Sequence, residues 1–230
     1  MPDQLVLSVH LRADATFDNF EFSARQKDLG QGLRAFARGE GDEAQWYLWG
    51  AEETGKTHLA QAVCHAAADA GLTSVYLPLG ELAGVRADCL EGMENVAVLA
   101  LDDVDRVWLD DEWSSSLFAL INQAREGKTR LLFTATARPP EEVLADLRSR
   151  LLWGPVYRLL RLEDQELAGL LKRSAQARGF SLGEAEVRYL LRHGPRHPRA
   201  LVAAIDRLDQ ASLRAKRRIT VPFIRSALGL

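Results

Sequence analysis

Gly50-Ala51-Glu52-Glu53-Thr54-Gly55-Lys56-Thr57 matches the pattern GxxxxGK[ST] at every fixed position. It follows Trp46-Tyr47-Leu48-Trp49, a compact apolar run that reads as a buried strand. Beyond Thr57, apolar residues at Leu59, Ala62, Val63, Ala66, Ala67 and Ala70 keep a helical period until Gly71 stops it. Strand, glycine-bounded turn and helix are the context this pattern needs to be more than a chance match. In that context the loop spanning Gly50, Thr54 and Gly55 turns backbone N–H groups toward phosphate oxygens, and the helix N-terminus adds positive potential. Lys56 neutralises the terminal phosphates, and the Thr57 hydroxyl is the candidate ligand for magnesium.

The neighbouring segments extend the pattern. Ser74–Leu79, Val96–Leu101, Arg130–Ala135 and Val156–Leu162 read as further buried strands. A helix with Trp113, Leu117, Leu120, Ile121 and Ala124 on one face is closed by Gly127. Strands alternating with helices predict a parallel sheet covered on both faces. The Val96–Leu101 strand delivers Asp102 and Asp103 at its C-terminal end, the edge where open α/β sheets bind ligands. Asp102 is the second candidate magnesium ligand and Asp103 the group that orients an attacking water. The Arg130–Ala135 strand ends near Thr134 and Thr136, hydroxyls within reach of a terminal phosphate.

From Glu163 onward the strands cease. Leu167, Leu170 and Leu171, then Val187, Leu190 and Leu191, then Leu201, Ala204, Ile205 and Leu208, and finally Phe223, Ile224 and Leu228 mark successive helices. The expected organisation is an α/β nucleotide-binding base over residues 14–162, three-layered with a parallel sheet, and a small all-helical lid over 163–230. A short tail occupies residues 1–13. Charge divides along nearly the same line. Residues 1–160 carry 15 basic and 25 acidic side chains, a balance of −10, whereas residues 161–230 carry 14 and 7, a balance of +7.

Composition excludes other classes. The 230 residues are 47% hydrophobic, too apolar for a disordered chain, and the 17 glycines keep no period of three. No apolar run approaches the ~20 residues of a spanning helix, so no membrane partner is expected. The two cysteines make no disulfide framework, and neither CxxC nor HExxH occurs, which fits a reduced, cytoplasmic setting without a secretory signal.

Together these pieces resemble an AAA+ module of the DnaA-related branch, and more closely the small Hda family than the initiator DnaA itself. The resemblance runs from Thr16-Phe-Asp-Asn-Phe20 through the two nucleotide motifs to Arg148-Ser-Arg150-Leu-Leu-Trp-Gly154, Pro198-Arg199-Ala-Leu201 and Ile219-Thr-Val-Pro-Phe-Ile224. It implies that Arg150 is an arginine finger acting in trans. It also implies that Arg199 is a sensor 2 residue on the lid that contacts the bound nucleotide. The Thr134–Arg138 segment departs from a DnaA-like sensor 1, leaving open which threonine fills that role. In the tail, Gln4-Leu5-Val6-Leu7-Ser8-Val9 reads on pattern alone as an N-terminal edge strand; extended, it projects Leu5, Leu7 and Val9 to one side, able to enter an apolar groove with the Gln4 amide at its rim. It is similar to the peptide through which Hda-like proteins engage the DNA polymerase sliding clamp (beta subunit).

What the resemblance implies is a regulator that binds ADP or ATP with magnesium, docks on the DNA-loaded clamp and stimulates hydrolysis of the ATP held by DnaA. Its own ATPase would be weak. DNA is met through the clamp, and self-association stays open; the Lys216-Arg217-Arg218 cluster suits either direct contact with DNA phosphates or an acidic partner surface. Glu52 and Glu53 in the phosphate loop repel bound charge, which favours a diphosphate over a triphosphate. The chain stops at Gly229-Leu230, so no initiator-type double-stranded-DNA domain is expected. Two other readings are an AAA+ helicase loader using the basic lid on single-stranded DNA and a small-molecule kinase. The kinase leaves Arg150 and the tail without a role.

Overall fold

The structure, a computed structural model, describes residues 11–84 and 86–230. The tail residues Gln4, Leu5, Leu7 and Val9 lie outside them. Contacts divide the chain into two compact units, one ending at Leu160 and the other running from Arg161 to Leu230.

In the first unit, α1 (Lys27–Ala37) precedes β1 (Gln45–Trp49), and α2 (Lys56–Asp69) leads to β2 (Ser74–Pro78). The short α3 (Leu79–Leu82) precedes β3 (Val98–Asp102). Then come α4 (Asp111–Gly127), β4 (Arg130–Ala135), α5 (Ala145–Leu151) and β5 (Val156–Arg158). The five strands form one sheet in the order β2-β3-β4-β1-β5, and every neighbouring pair is parallel. Parallel pairing requires a crossover between partners, and α2, α4 and their loops supply it.

Side chains alternate across the sheet with period two, so each strand feeds two cores. Tyr47, Leu99, Leu101, Leu131 and Phe133 pack with Trp113, Leu117 and Ile121 of α4 and with Leu147 and Leu151 of α5. Trp46, Leu48, Val98, Ala100 and Leu132 pack against Leu29, Leu33 and Phe36 of α1 and Leu59, Val63 and Ala67 of α2. Helices on both faces of a parallel sheet make the expected three layers. A fully buried leucine in either core contributes about 2 kcal/mol relative to exposure.

The last strand is shorter than its apolar sequence suggests. Val156–Leu162 was expected in full, whereas β5 spans only Val156–Arg158. It is an edge strand whose one partner, β1, ends at Trp49, so pairing stops after Arg158 apart from a last bond from Leu159 N–H to Trp49 O.

The second unit contains α6 (Asp164–Gln176), α7 (Glu184–His193), α8 (Pro198–Ala215) and α9 (Val221–Leu228). A capping box between Glu163 and Glu166 starts α6, and Pro198 occupies the first turn of α8. Leu167, Leu171, Val187, Leu190, Leu201, Ile205, Leu208 and Ile224 form its core.

Candidate functional site

Alternation along the strands decides which side chains meet the phosphate loop. Tyr76, Ala100 and Leu132 face the α2 side of the sheet, so two residues further on Asp102 and Thr134 face it too. Helix α2 begins at Lys56, directly after the loop, which places loop and carboxylates at the same C-terminal strand edge.

The loop is held tightly. Gly55 has φ +93°, and a Cβ there would stand 2.4 Å from Phe20 Cε2, so glycine alone fits both the turn and the aromatic cover. At Gly50 a Cβ would stand 2.6 Å from the Leu159 carbonyl oxygen. The Lys56 ammonium is buried and donates to the carbonyls of Gly50 at 3.0 Å and Ala51 at 3.1 Å. The Thr54 hydroxyl, also buried, donates to Ala51 O at 2.9 Å. Glu52 and Glu53 are exposed. Glu53 takes a left-handed conformation at φ 62°, and the Glu52 carboxylate lies 3.9 Å from Arg106.

Asp102 is buried, and both of its oxygens are bonded. Tyr76 donates its hydroxyl to Oδ2 at 2.8 Å, and Thr134 donates to Oδ1. The Thr134 oxygen in turn accepts the Asp103 N–H at 3.0 Å, so one threonine joins the ends of β3 and β4. Thr136 bonds elsewhere: its N–H donates to Asp105 Oδ2 at 3.0 Å and its hydroxyl donates to the same oxygen. Asp103 is left-handed at φ 56°. Burial raises its carboxyl above the ordinary value, and the negative charges of Asp102 and Asp105 raise it further, while Lys56 and Arg106 pull it down. A carboxylate with raised basicity near the lysine of a phosphate loop is suited to accept or orient a proton of water.

These residues fit a nucleotide with magnesium. The loop offers the free N–H groups of a 14-residue helix and a buried ammonium. Among the described residues no three His, Cys, Asp or Glu side chains converge as a cage. Magnesium beside a nucleotide would need only one or two protein oxygens, together with phosphate oxygens and water. Thr57 and Asp102 are the protein oxygens on hand.

Arg150 sits elsewhere. It lies within the last turn of α5, which extends one residue past it. That turn is pinned to the start of β1, where the Gln45 side-chain amide donates to Arg150 O at 2.7 Å and Leu151 O at 3.0 Å. At Gly154 a Cβ would stand 2.0 Å from Gln45 O, so only glycine permits this approach. The phosphate loop leaves the other end of β1, and α5 and α2 pack against opposite faces of the sheet. Arg150 therefore does not join the loop of its own chain. In the helical unit Arg199 is the second residue of α8, on its exposed side.

Several residues of the site were not identified from sequence. Tyr76 reads as an ordinary strand aromatic, and Asp105 as a loop acid. Trp153 reads as an apolar neighbour of Arg150, although the guanidinium groups of both Arg125 and Arg150 lie over its ring. Register and helix packing supply these partnerships, and neither is written locally.

Comparison with known proteins matches both units. Residues 46–152 match the family of ATPases associated with various cellular activities, AAA. Residues 164–228 match the lid domain of Hda. Among solved structures, domain III of the Thermotoga maritima replication initiation protein DnaA superposes with a TM-score of 0.74 at 18% identity, covering 96% of this chain and 98% of that one. Aquifex aeolicus DnaA bound to AMPPCP gives 0.72 at 20%, covering 85% of this chain and 65% of that longer one. The Thermotoga maritima Holliday junction branch migration motor RuvB gives 0.64 at 18%, over 94% of this chain and 71% of that one. At such identities the superpositions speak for the fold alone, and the two family matches, one on each unit, carry the assignment further. With an AAA base and an Hda lid on one chain, this is a DnaA-related AAA+ protein of the Hda type.

Proposed function

We propose that this chain is a negative regulator of replication initiation that acts on the nucleotide of another AAA+ protein. ADP and magnesium sit at its own phosphate loop, held by Gly50, Thr54, Gly55, Lys56 and Thr57, with Asp102 as the second protein ligand to the metal and Arg199 contacting the nucleotide from the lid. The bound ion would neutralise phosphate charge. The tail residues Gln4, Leu5, Leu7 and Val9 dock on the sliding clamp on DNA, and Arg150 enters the nucleotide site of ATP-bound DnaA. There its planar cation stabilises the charge that develops on the transferred phosphoryl group, an effect of about 10³ to 10⁵ fold for such fingers. The setting is the cytoplasm.

The observation that carries this reading is the separation of Arg150 from its own loop. The two are attached to opposite ends of the five-residue β1, about 16 Å apart at ~3.3 Å per residue. An arginine held there serves a phosphate on a second molecule or serves none. The Hda match of the lid supports DnaA as that molecule. The preference for ADP rests on Glu52 and Glu53. Changing both to glutamine should shift the ratio of ADP to ATP affinity toward ATP, and an unchanged ratio would remove their assigned role.

The test mixes the chain with ATP-bound DnaA and clamp loaded on DNA, then follows hydrolysis of the initiator's nucleotide. Stimulation should vanish in Arg150→Ala and in a chain lacking residues 1–13. Full stimulation by either variant removes the role given to that element.

A further inference from the structure

We propose that Trp153 is the positioning residue of Arg150, an indole platform that fixes the guanidinium without neutralising it; this rests on the reading of Arg150 as a finger. The Cζ atom of Arg150 lies 4.5 Å from the centroid of the Trp153 ring and 5.8 Å from that of Phe118. Arg125, in the last turns of α4, lies over the same indole at 3.3 Å. Among the described residues neither guanidinium group makes a hydrogen bond or an ion pair. Two like charges are thus gathered on one ring with no carboxylate between them.

The choice of a ring over an acid has a chemical consequence. A carboxylate would hold the arginine, but it would also occupy its N–H groups and cancel its charge, the two properties a phosphate needs. The face of an indole attracts the cation through its quadrupole and leaves the N–H edge of the guanidinium available. The hold is moderate, equivalent to about 2- to 30-fold in the population of the held conformer. An unheld arginine would have to give up its rotamer freedom on docking.

The backbone that carries the ring is well anchored. The Trp153 backbone N–H donates to Arg150 O at 3.2 Å, and that same carbonyl accepts the Gln45 side-chain amide at 2.7 Å. Gly154 closes on Gln45 O, where no side chain fits, so the backbone on both sides of Trp153 is tied to β1. The indole is nonetheless 44% exposed, which leaves the platform accessible to a partner.

The experiment titrates the full chain into the clamp- and DnaA-containing hydrolysis assay and separates maximal rate from half-saturating concentration. Trp153→Leu should lower the maximal stimulation about 10-fold with little change in half-saturation, and Trp153→Phe should retain most of it. Site-specific replacement of Trp153 by tryptophans bearing one, two and three ring fluorines keeps the shape but weakens the quadrupole, so the logarithm of the maximal rate should fall stepwise. A flat fluorine series overturns the proposal, because a merely structural indole would give that result. A second readout needs no partner. The Arg150 Hε resonance, shifted by the ring current, should return to the value of an exposed arginine in Trp153→Leu, and an unmoved resonance also counts against the platform. The two readings fail separately. Undiminished stimulation by Arg150→Ala sinks the finger, whereas its loss combined with a flat fluorine series sinks the role of Trp153 alone.

Discussion

The two units of this chain handle polarity in opposite ways. Among the described residues, every buried polar or charged side chain lies in the first unit: Ser23, Thr54, Lys56, Gln61, Asp102, Ser114, Thr129 and Thr134. Three of these, Thr54, Lys56 and Asp102, belong to the phosphate site, and Thr134 bonds to it. The helical unit has a wholly apolar core, and ion pairs stand outside it, with Lys172–Glu184 at 2.5 Å and Arg196–Asp164 at 3.3 Å exposed and Arg178–Asp206 at 2.6 Å half-buried. Burying a lysine or an aspartate costs free energy unless each polar atom finds a partner. The base spends part of its hydrophobic stabilisation on holding chemistry at the sheet edge, and the lid carries no such load.

This contrast can be broken by experiment, and the largest effect should come from the loop. At ADP concentrations about 1,000 times the dissociation constant, ligand linkage adds ~4 kcal/mol to a protein that binds one nucleotide. Lys56→Ala should abolish that increment in calorimetry, and an increment that survives would mean that the buried ammonium is structural only. Next, Leu171→Ala in the lid core should cost about 2–5 kcal/mol, the range for emptying a well-packed leucine site. ADP should still stabilise that variant. Tyr76→Phe in the base strips Asp102 Oδ2 of its donor and should cost about 1–3 kcal/mol in urea unfolding. An unchanged midpoint would show that water replaces the phenol there.

The smallest effect has a definite sign. Asp103 has a folded-state pKa above its ordinary 3.8, so the folded chain takes up this proton more readily than the unfolded one. Its contribution to stability therefore falls as pH rises from 3.8 through the folded value, and the penalty stays above it. Asp103→Asn should melt higher than the parent at pH 7, with the gap closing in acid below 3.8. A gap that persists in acid would assign the gain to asparagine's tolerance of the left-handed backbone at φ 56°.

How much of this was legible from residues alone follows from the range of each interaction. The phosphate loop, the strand ending in Asp102 and Asp103, and the helical periods of the lid are local patterns, and the structure reproduces them as β1, α2, β3 and α6 to α9. The β5 overshoot arose because apolar content reports burial, whereas strand length depends on a partner that ends at Trp49. Thr134 lies in β4 and Thr136 just past its end, and the sequence alone left them equivalent. Register resolves them by setting Thr134 beside Asp102 and Thr136 beside Asp105. The Trp153 contacts bring Arg125 of α4 to the end of α5, a tertiary meeting that no spacing rule encodes.

Strand β1 has a mechanical meaning. It is paired along both edges, with β4 on one side and β5 on the other, so it resists bending within the sheet and is hard to stretch. One end runs into Gly50, and the other is clamped by Gln45 to the carbonyls of Arg150 and Leu151. Pairing on both edges fixes the distance between its two ends. The phosphate loop and the turn that carries Arg150 are thus attached to two ends of one stiff rod.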